Sequence, residues 1–401
     1  MAQATRMPDS SIAGARDAVR SVAPGAQLRV SLVTEPSAFL RLKKEWNALA
    51  ESTHDEPFHR HEYVRSWIES FAPGASLRIL TGRDERDRLV ALLPLIERRS
   101  RLLGLGVREW SSPTNVHSFR FDFLALDPAA AAPFFLARLA AQREWDLLRL
   151  ADVPPQGSAW HLYDAACGAG WPAGIYPAQK SPYLPLPASF DDLAGLWSSK
   201  FRSNLRRRRR LLERRGRVEV ERVGAGPGLA KILDACFRLE GRGWKGKHGD
   251  SAQRDPRIGS FYRSLAERSG GSFSLSLLKL DGKLIAFHYG LTRRRVYSLL
   301  LTSYDESFRE CSPGHLLVEE VLRDCLAEGV REFDFLGCDL EWKRAWTESS
   351  RSHSWLFMFR NDSWGRALRG AKFTWAPAAR RMIGSFFHRG PLLGSASEGG
   401  S

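Results

Sequence analysis

Apolar residues recur along the chain in a pattern of strands and helices that occurs twice. In the first half, a strand at Leu28–Val33 precedes apolar residues at helical spacing, and in the second half a strand at Arg217–Val223 does the same. The two helical sets lie about 190 residues apart and are Phe39, Leu42, Trp46 and Leu49 in the first half and Leu229, Ile232, Cys236 and Leu239 in the second. This offset predicts an internal repeat.

The correspondence continues through a second helix, two strands, a crossover helix and a last strand. The matching pairs are Tyr63–Phe71 with Phe261–Arg268, Leu77–Thr81 with Phe273–Lys279, Leu89–Ile96 with Leu284–Leu291, Pro128–Ala141 with Gly314–Ala327, and Arg143–Ala151 with Arg331–Asp339. Runs of strands followed by a crossover helix are typical of mixed sheets with helices on both faces. We therefore predict an α/β (α+β) fold of two units, each with a mixed, largely antiparallel sheet flanked by helices.

Composition and punctuation suggest the domain boundaries. We expect disordered tails at 1–27 and 390–401, where Ala, Gly and Ser dominate without a clear period. The first unit covers 28–170, a Pro-rich connector and helix cover 171–199, and a basic helix with the second unit covers 200–360. A basic amphipathic segment, 361–389, follows. Within the connector, Ser189 and Asp192 are placed as a capping box.

Positive charge is concentrated in one segment. The chain carries a formal net charge of +15, and Lys200–Arg217 holds ten basic residues against the single acid Glu213. Apolar residues recur every four positions through its start, at Leu193, Trp197, Phe201 and Leu205, which predicts an amphipathic helix or helix pair presenting Arg206–Arg210. Anionic lipid headgroups, RNA, or the CoA phosphates together with an acidic acceptor are the candidate partners, and a solvated charged face is the alternative. Sparse aromatic residues favour lipid or an acidic polymer over nucleic acid.

Several classes of protein are excluded. The longest apolar runs, such as Leu89–Ile96, fall far short of the roughly 20 residues of a membrane-spanning helix. The start of the chain lacks a secretory signal, and the five cysteines are scattered without a paired motif, so we expect a cytoplasmic protein with reduced thiols. His59 and His61 lack metal-ligand spacing, and we predict no metal.

Two further motifs carry little weight. His117 and Asp122 form H-x4-D, but Phe119, Phe121 and Phe123 alternate as in a strand, which would place the His and the Asp on opposite faces. The glycines 224, 226 and 228 miss the spacing of a dinucleotide-binding loop and predict an ordinary loop.

Four segments of the second half resemble a known family in both content and order. They are LEGRGWKGKHG at 239–249, AFHYGL at 286–291, SYDESFRECSPGHLL at 303–317 and FDFLGCDLEWKRAW at 333–346. Together they resemble the CelD/BcsL type of acetyltransferase, a GNAT-related group, over roughly Leu28–Arg360. The resemblance implies a GNAT-like tandem fold, an acetyl-CoA or other acyl-CoA donor, and a link to bacterial cellulose or exopolysaccharide assembly. Related tandem folds include the Fem-type peptidyltransferases, which use aminoacyl-tRNA.

A donor site is predicted where the strand Val296–Tyr304 leads through a loop into the helix at Gly314. The first N–H groups of a helix are unpaired and attract phosphate. We expect Ser312 to cap this helix, backbone N–H groups near Ser303 to stabilise an oxyanion, and a pyrophosphate to bind the N–H groups of Gly314, His315, Leu316 and Leu317. An ordinary capped helix is the alternative. The first unit has Asp127 and Pro128 at the equivalent place, which indicates a degenerate donor site.

Direct transfer is the expected chemistry, because the sequence shows no Ser/His/Asp set and no activated cysteine. His288 alternates with Phe287 and Tyr289 on a strand, and it is either the general base or a core histidine. Tyr304 and Asp305 either relay a proton through water or form a turn.

The acceptor site is assigned to five further residues. Asp334 sits between aromatic residues with Lys343 nine positions later, and the two form either a structural ion pair or a substrate or phosphate contact. Trp244 and Lys245, in a Gly-rich loop, and Trp346 complete the predicted acceptor wall, with a buried anchor as the alternative for the loop.

The predicted function is N- or O-acyl transfer to a saccharide or cell-envelope precursor. A Fem-like aminoacyl-tRNA-dependent transferase and a non-catalytic scaffold that recruits a polysaccharide synthase are the alternatives. The basic helix and Trp364–Arg389 further predict peripheral association with an anionic membrane face, the alternative for the latter being a helix packed on the second unit.

Overall fold

The fold is known from a computed structural model that describes residues 28–243 and 251–375. Its strands are β1 Arg29–Val33, β2 Ile79–Arg83, β3 Leu89–Leu93, β4 Ile96–Leu102, β5 Leu105–Ser111, β6 Leu124–Ala125, β7 Leu147–Val153, β8 Ala173–Pro185, β9 Val218–Val223, β10 Phe273–Leu280, β11 Lys283–Arg293, β12 Val296–Tyr304, β13 Glu332–Asp334 and β14 Ser350–Phe359.

Helices flank these strands in the order that the repeat predicts. They are α1 Pro36–Arg41, α2 Lys43–Ser52, α3 His61–Phe71, α4 Pro128–Ala140, α5 Ala159–Gly168, α6 Phe190–Gly195, α7 Ser199–Glu213, α8 Leu229–Arg242, α9 Pro256–Ser269, α10 Pro313–Ala327, α11 Glu341–Arg344 and α12 Ser363–Gly370. The basic segment is a helix pair, since Ser189 caps α6 through the Asp192 N–H and Ser198 caps α7 through the Phe201 N–H. Within the described ranges, no helix is both long and apolar enough to cross a bilayer.

Both units use the same strand plan. In the second unit, β10, β11 and β12 pair antiparallel and β12 pairs parallel with β13. In the first unit, β2 and β3 pair antiparallel, β4 pairs antiparallel with β5, and β5 pairs parallel with β7. The strand predicted at Leu89–Ile96 is split after Leu93, next to Pro94, which has no N–H to donate to a ladder. The mixed, largely antiparallel α/β fold is therefore confirmed.

Strands β8 and β14 join the sheets of the two units. The Pro-rich connector forms β8, whose first part pairs with β14 and whose last three residues pair with β13. β14 is the last strand of the second unit in sequence, yet it pairs with β7 of the first. The result is one ten-stranded sheet in the order β4-β5-β7-β14-β8-β13-β12-β11-β10-β9, beside a four-stranded sheet in the order β1-β2-β3-β6.

A shared core also joins the units. α3 packs against α9, and the Ser66 and Ser264 hydroxyls lie 3.1 Å apart at their contact. One continuous apolar cluster contains side chains of both halves, among them the fully buried Trp46 and Phe261. Burial of both units in one core means that neither is expected to be stable alone.

One local prediction is wrong. Residues 119–123 do not form a strand, and Phe119 has a φ of +56°, which breaks the alternation on which that prediction relied. The described part of the C-terminal segment packs on both units, because Leu368 of α12 is buried with Leu147 of β7 and Phe357 of β14. The rest of that segment, from 376 onward, lies outside the described residues.

Candidate active site

The strands β12 and β13 diverge after a short parallel ladder. Their register covers three pairs, from Val296 with Glu332 to Ser298 with Asp334. β12 continues to Tyr304 and pairs there with β11 alone, among the strands that the structure describes. After Asp334 the chain turns through Leu336 and Gly337, whose φ angles are +51° and +59°. A gap therefore opens beside residues 299–304, at the end of β12 that leads into α10.

A bulge marks the start of this gap. The β11–β12 register shifts so that Leu300 faces no partner residue. The Tyr262 hydroxyl donates to the Leu300 carbonyl at 3.4 Å, and the Nδ1 atom of His117 lies 3.1 Å from the same hydroxyl. Tyr262 falls within a predicted helix, and the H-x4-D motif that contains His117 carries little weight. Neither residue is therefore among the predicted site residues.

The helix α10 begins beside the gap with few free donors. Ser312 adopts φ +47° and its carbonyl accepts from the N–H groups of His315 and Leu316. Leu316 and Leu317 are buried in the core, and their N–H groups belong to the helix ladder. Pro313 has no N–H, so Gly314 supplies the free donor of this turn within the described chain. The prediction of donation by Leu316 and Leu317 is therefore wrong. The His315 N–H already donates to the Ser312 carbonyl, so it can reach a phosphate only by sharing its hydrogen between the two acceptors.

Aromatic rings support the start of α10. The His315 ring stacks on Trp346 with 5.7 Å between centroids, and Trp346 in turn packs edge-on against Trp197 and Phe201. Burial, with a smaller contribution from the charge of Arg208, lowers the pKa of His315 to about 4. Trp346 is therefore a buried side chain that packs against the start of α10, and it does not line an open surface.

His288 lies inside the second unit, where only 1% of its surface is exposed. It points to the α7 and α10 side of the sheet, whereas Phe287 and Tyr289 point to the α8 and α9 side, as the alternation predicts. Burial, followed by the charge of His315, lowers the pKa of His288 to about 3, so the ring is neutral at ordinary pH. Its Nδ1 atom has no partner in the described part of the chain. It can accept a proton only as a weak base.

The residues at the end of β12 have local roles. The Asp305 carboxylate accepts from the Ser307 N–H at 3.1 Å, the Ser307 hydroxyl at 2.6 Å and Lys283 at 3.0 Å. Burial opposes these contacts, but together they lower the pKa of Asp305. The turn alternative therefore describes Asp305. Tyr304 is half-buried beside Gly314. The Ser303 hydroxyl lies near Gly243, the last residue of the first described range.

Asp334 pairs with the first unit, not with Lys343. It is fully buried and accepts from Arg120 at 2.6 Å, from Arg351 at 3.3 Å and from the Leu336 N–H at 2.9 Å. Lys343 instead donates to the carbonyls of Leu336 and Cys338 and holds the turn after β13. The predicted Asp334–Lys343 pair is therefore wrong, because the first unit brings Arg120 closer.

Arg120 is the centre of a buried polar network between the units. Besides Asp334, it donates to Glu56 at 2.6 Å and points Nε toward His353. Burial acts to raise the pKa of Glu56, but the charges of Arg120 and His59 outweigh it and lower that pKa to about 2. The same carboxylates raise the pKa of Arg120 against the effect of its burial. Glu56 and Arg120 are thus both charged at neutral pH.

A cavity of about 210 Å³ opens beside this network, between the two units. It is lined by Thr53, His54, Asp55, Glu56, Pro57, Arg120, Arg293, Arg294, Val296 and Ser298. Trp244 and Lys245, the other predicted acceptor residues, lie outside the described residues.

The equivalent gap in the first unit is filled. β5 and β7 also pair over three residues, and the chain that follows β5 then bridges them: the Ser112 hydroxyl accepts from the Ala151 N–H, and the Phe121 N–H donates to the Asp152 carbonyl. Asp122 caps the start of α5 by accepting from the N–H groups of Ser158 and Ala159. Residues 112–123 thus occupy the space that stays open in the second unit.

Comparison with known proteins identifies the second unit. Residues 199–344 match the acetyltransferase (GNAT) domain family. No curated protein sequence matches the chain. Among solved structures, FemX is 13% identical, with a TM-score of 0.54 over 83% of this chain and 98% of that one.

Two further solved structures share the fold. A C-terminal domain described as belonging to a lysylphosphatidylglycerol synthetase from Agrobacterium fabrum is 14% identical, with a TM-score of 0.50 over 90% of this chain and all of that one. A protein of unknown function from Bacteroides thetaiotaomicron is 12% identical, with a TM-score of 0.54 over 82% of this chain and all of that one. The chain thus contains a GNAT acetyltransferase domain and is an acyltransferase.

Proposed function

We propose that the chain is an acyl-CoA-dependent N- or O-acyltransferase whose donor binds in the second unit, between β12 and β13. The observation that carries this proposal is the ladder that ends at Ser298 and leaves residues 299–304 beside a gap leading to the start of α10. Backbone groups at a free strand edge need partners, and the amides of an extended pantetheine chain are suitable ones.

The residues present fit the phosphates of such a donor. The Gly314 N–H and the positive end of the α10 dipole attract anions. Arg208 of the neighbouring α7 is close enough to His315 to influence its protonation, which places a cation beside the same turn. The donor supplies an acyl group activated as a thioester.

The first unit is proposed to have a structural role instead. Its gap is filled by residues 112–123, and its crossover helix α4 begins at Asp127, whose carboxylate accepts from the Ala130 N–H. A carboxylate at this turn repels phosphate.

Transfer is proposed to be direct. An acceptor nitrogen or oxygen bonds to the acyl carbon, the carbon–sulfur bond breaks, the thiol leaves, and the acceptor's proton passes to a base. His288 is the candidate base because its ring is neutral and its Nδ1 is unpartnered among the described residues. Backbone N–H groups along the free edge near Ser303 are proposed to donate to the acyl oxygen as it gains negative charge.

A saccharide or cell-envelope precursor is the proposed acceptor, supported by the resemblance of the four second-unit segments to the CelD/BcsL type. An aminoacyl-tRNA donor is the second candidate. The row of arginines on α7, described below, favours it, as does the shared fold with a domain described as part of a lysylphosphatidylglycerol synthetase.

Calorimetric titration tests the donor. We expect one acetyl-CoA to bind per chain, because only the second unit keeps its gap open. His288→Ala should bind acetyl-CoA as the wild type does but release CoA in the presence of an acceptor about tenfold more slowly, below the 100-fold or more of a well-matched base, because the pKa of His288 is low. His161→Ala, at an exposed site, is the control. Binding of aminoacyl-tRNA without acetyl-CoA would favour the second candidate, and no donor binding would contradict both.

A cationic face on α7 supports a second part of the proposal, peripheral binding to an anionic membrane from the cytoplasm. Arg202, Arg206, Arg210 and Arg214 follow one another at four-residue spacing, so they lie on one side of the helix over about 18 Å. In the described part of the chain none of them pairs with an acid, unlike Arg209, which contacts Glu319 and Glu320. A row of charges along one side of a helix can contact a flat surface. The apolar Leu196, 72% exposed, precedes this row in sequence.

Vesicle co-sedimentation tests this surface. We expect binding to phosphatidylserine vesicles but not to phosphatidylcholine vesicles, with release by salt, because each basic side chain near the surface contributes about 1 kcal/mol. The triple variant R206Q/R210Q/R214Q should reduce binding by more than tenfold, roughly the effect of two such contributions.

The triple variant R86Q/R99Q/R101Q removes the same charge from exposed positions elsewhere and should bind normally. Equal binding to both vesicle types would contradict the proposal, as would equal loss in the two variants. Binding of tRNA without vesicle binding would assign the row to nucleic acid.

A further inference from the structure

We propose that the cavity between the units is the acceptor site and that it takes a small molecule with a carboxylate or phosphate group. This inference rests on the proposed function and adds the chemical class of the acceptor. The first unit contributes Arg120 and the turn at 53–57, and the second contributes Arg293 and Arg294 of the β11–β12 turn and Ser298 of β12.

The cavity lies next to the donor gap. Ser298 lines it and is also the last residue of β12 that pairs with β13. Leu300, at the bulge in the free edge, is two residues further, about 7 Å along the strand. Asp334, the partner of Ser298 in the ladder, is held by Arg120 in the cavity wall. A molecule in the cavity therefore lies beside the start of the free edge along which the donor is proposed to bind.

The unused hydrogen-bonding capacity of the cavity consists mainly of donors. A guanidinium has five N–H groups, and Arg120 uses one on each nitrogen, for Glu56, Asp334 and His353, so two remain. The Nε of Arg293 is buried without a partner among the described residues. Arg294 has a side chain that is 56% exposed.

The carboxylates of the cavity already form ion pairs with arginines. Asp55 is in contact with Arg60, Arg293 and Arg294, and Glu56 with Arg120. Spare cationic donors beside satisfied carboxylates favour an anionic group, and the planar fork of arginine suits a carboxylate or a phosphate alike.

The inner end of the cavity suits the group that accepts the acyl chain. Ser298 is 1% exposed, and its hydroxyl makes no hydrogen bond within the described residues. A hydroxyl both donates and accepts, so it can hold an amine or an alcohol. At about 210 Å³ the cavity is smaller than the 300–1,000 Å³ of sites for drug-sized ligands, which limits it to a small molecule or head group.

Matched probes test the anionic preference. Phosphoethanolamine, β-alanine and ethanolamine each carry one amine and differ in bearing a phosphate, a carboxylate or neither. In calorimetric titrations without acetyl-CoA, we expect phosphoethanolamine or β-alanine to bind at least about tenfold more tightly than ethanolamine, the lower end for charged hydrogen bonds. The stronger of the two identifies the anion.

Variants of the turn locate the contact. Arg293→Ala should remove the preference for the anionic probe, whereas Arg295→Ala, an exposed neighbour outside the cavity lining, should keep it. Thermal unfolding of both variants checks folding, and Ser298→Ala should keep anion binding but slow transfer. Equal binding of the three probes, or a preference that survives in folded Arg293→Ala, would overturn the inference.

The donor is measured separately on the same proteins. Arg293→Ala should bind acetyl-CoA as the wild type does, because the cavity and the donor gap are distinct. If acetyl-CoA fails to bind while the anionic probe binds through Arg293, the proposed donor is wrong and the cavity assignment stands. If acetyl-CoA binds and no probe shows the preference, only the cavity assignment is wrong.

Discussion

Replacing Arg120 with alanine is expected to lower the free energy of unfolding by about 3–5 kcal/mol, the usual cost of removing one member of a buried ion pair. The guanidinium is buried and holds Glu56 of the first unit and Asp334 of the second, the latter fully buried. Without it, Asp334 keeps the Leu336 N–H and the longer contact to Arg351 but loses its closest cation. Because the network joins the units, the loss should also weaken their contact.

Urea unfolding measures this change against Arg101→Ala, an exposed arginine without an ion pair in the described structure. The control should stay within about 0.5 kcal/mol of the wild type. Arg120→Lys keeps the charge but not the fork, so it should fall between the two. A loss below 1 kcal/mol in Arg120→Ala would show that the network is not closed in solution.

The pH dependence of stability provides a second readout of the same network. Glu56 has a folded-state pKa near 2, below its ordinary value of 4.5. The unfolded chain therefore binds a proton first, and the contribution of this group is present above pH 4.5 and lost as pH falls toward 2. Arg120→Ala should flatten the curve in that window. An unchanged slope would mean that Arg120 does not set the pKa of Glu56.

The internal repeat was readable from the sequence because apolar spacing is local. Phe39 and Leu229 lie in the first helices of the two units, and both are buried, as periodicity predicts. The joining of the sheets by β8 and β14 was not readable, since pairing between Leu356 and Ile175 spans 181 residues and leaves no local mark. The Pro-rich connector forms the long strand β8, and its partners are set by the whole sheet.

The site shows the same division between local and distant information. The start of α10 was located from Pro313 and Gly314, because helix starts have characteristic residues. Arg120, by contrast, finds Asp334 across 214 positions from a segment without regular structure. Lys343 is much nearer to Asp334 in sequence, so the sequence alone favours the wrong cation. Buried charges take the partner that the tertiary fold brings, so sequence distance is a poor guide to them.

Gly314→Asp is expected to reduce the affinity for acetyl-CoA at least about 100-fold while leaving the fold intact. A side chain fits at this position, since a Cβ there would meet Tyr304 Cδ1 at an ordinary 3.6 Å. A carboxylate in the first turn interacts favourably with the helix dipole, by about 0.3–1 kcal/mol, so stability should hold or rise. The same charge repels donor phosphates, and at a separation of 4 Å near a protein surface one unit pair costs about 4 kcal/mol.

Gly314→Asn is the matched control, because it has the size of aspartate without the charge and should bind acetyl-CoA within a few-fold of the wild type. The first unit already carries an acid at this place, Asp127, which caps α4. The variant therefore gives the second unit the feature that, with the filled gap, is proposed to exclude a donor from the first. Opposite changes in stability and affinity separate loss of the site from loss of the fold. If Gly314→Asp binds acetyl-CoA as tightly as Gly314→Asn does, the phosphates do not lie at the start of α10, and the proposed donor site is wrong.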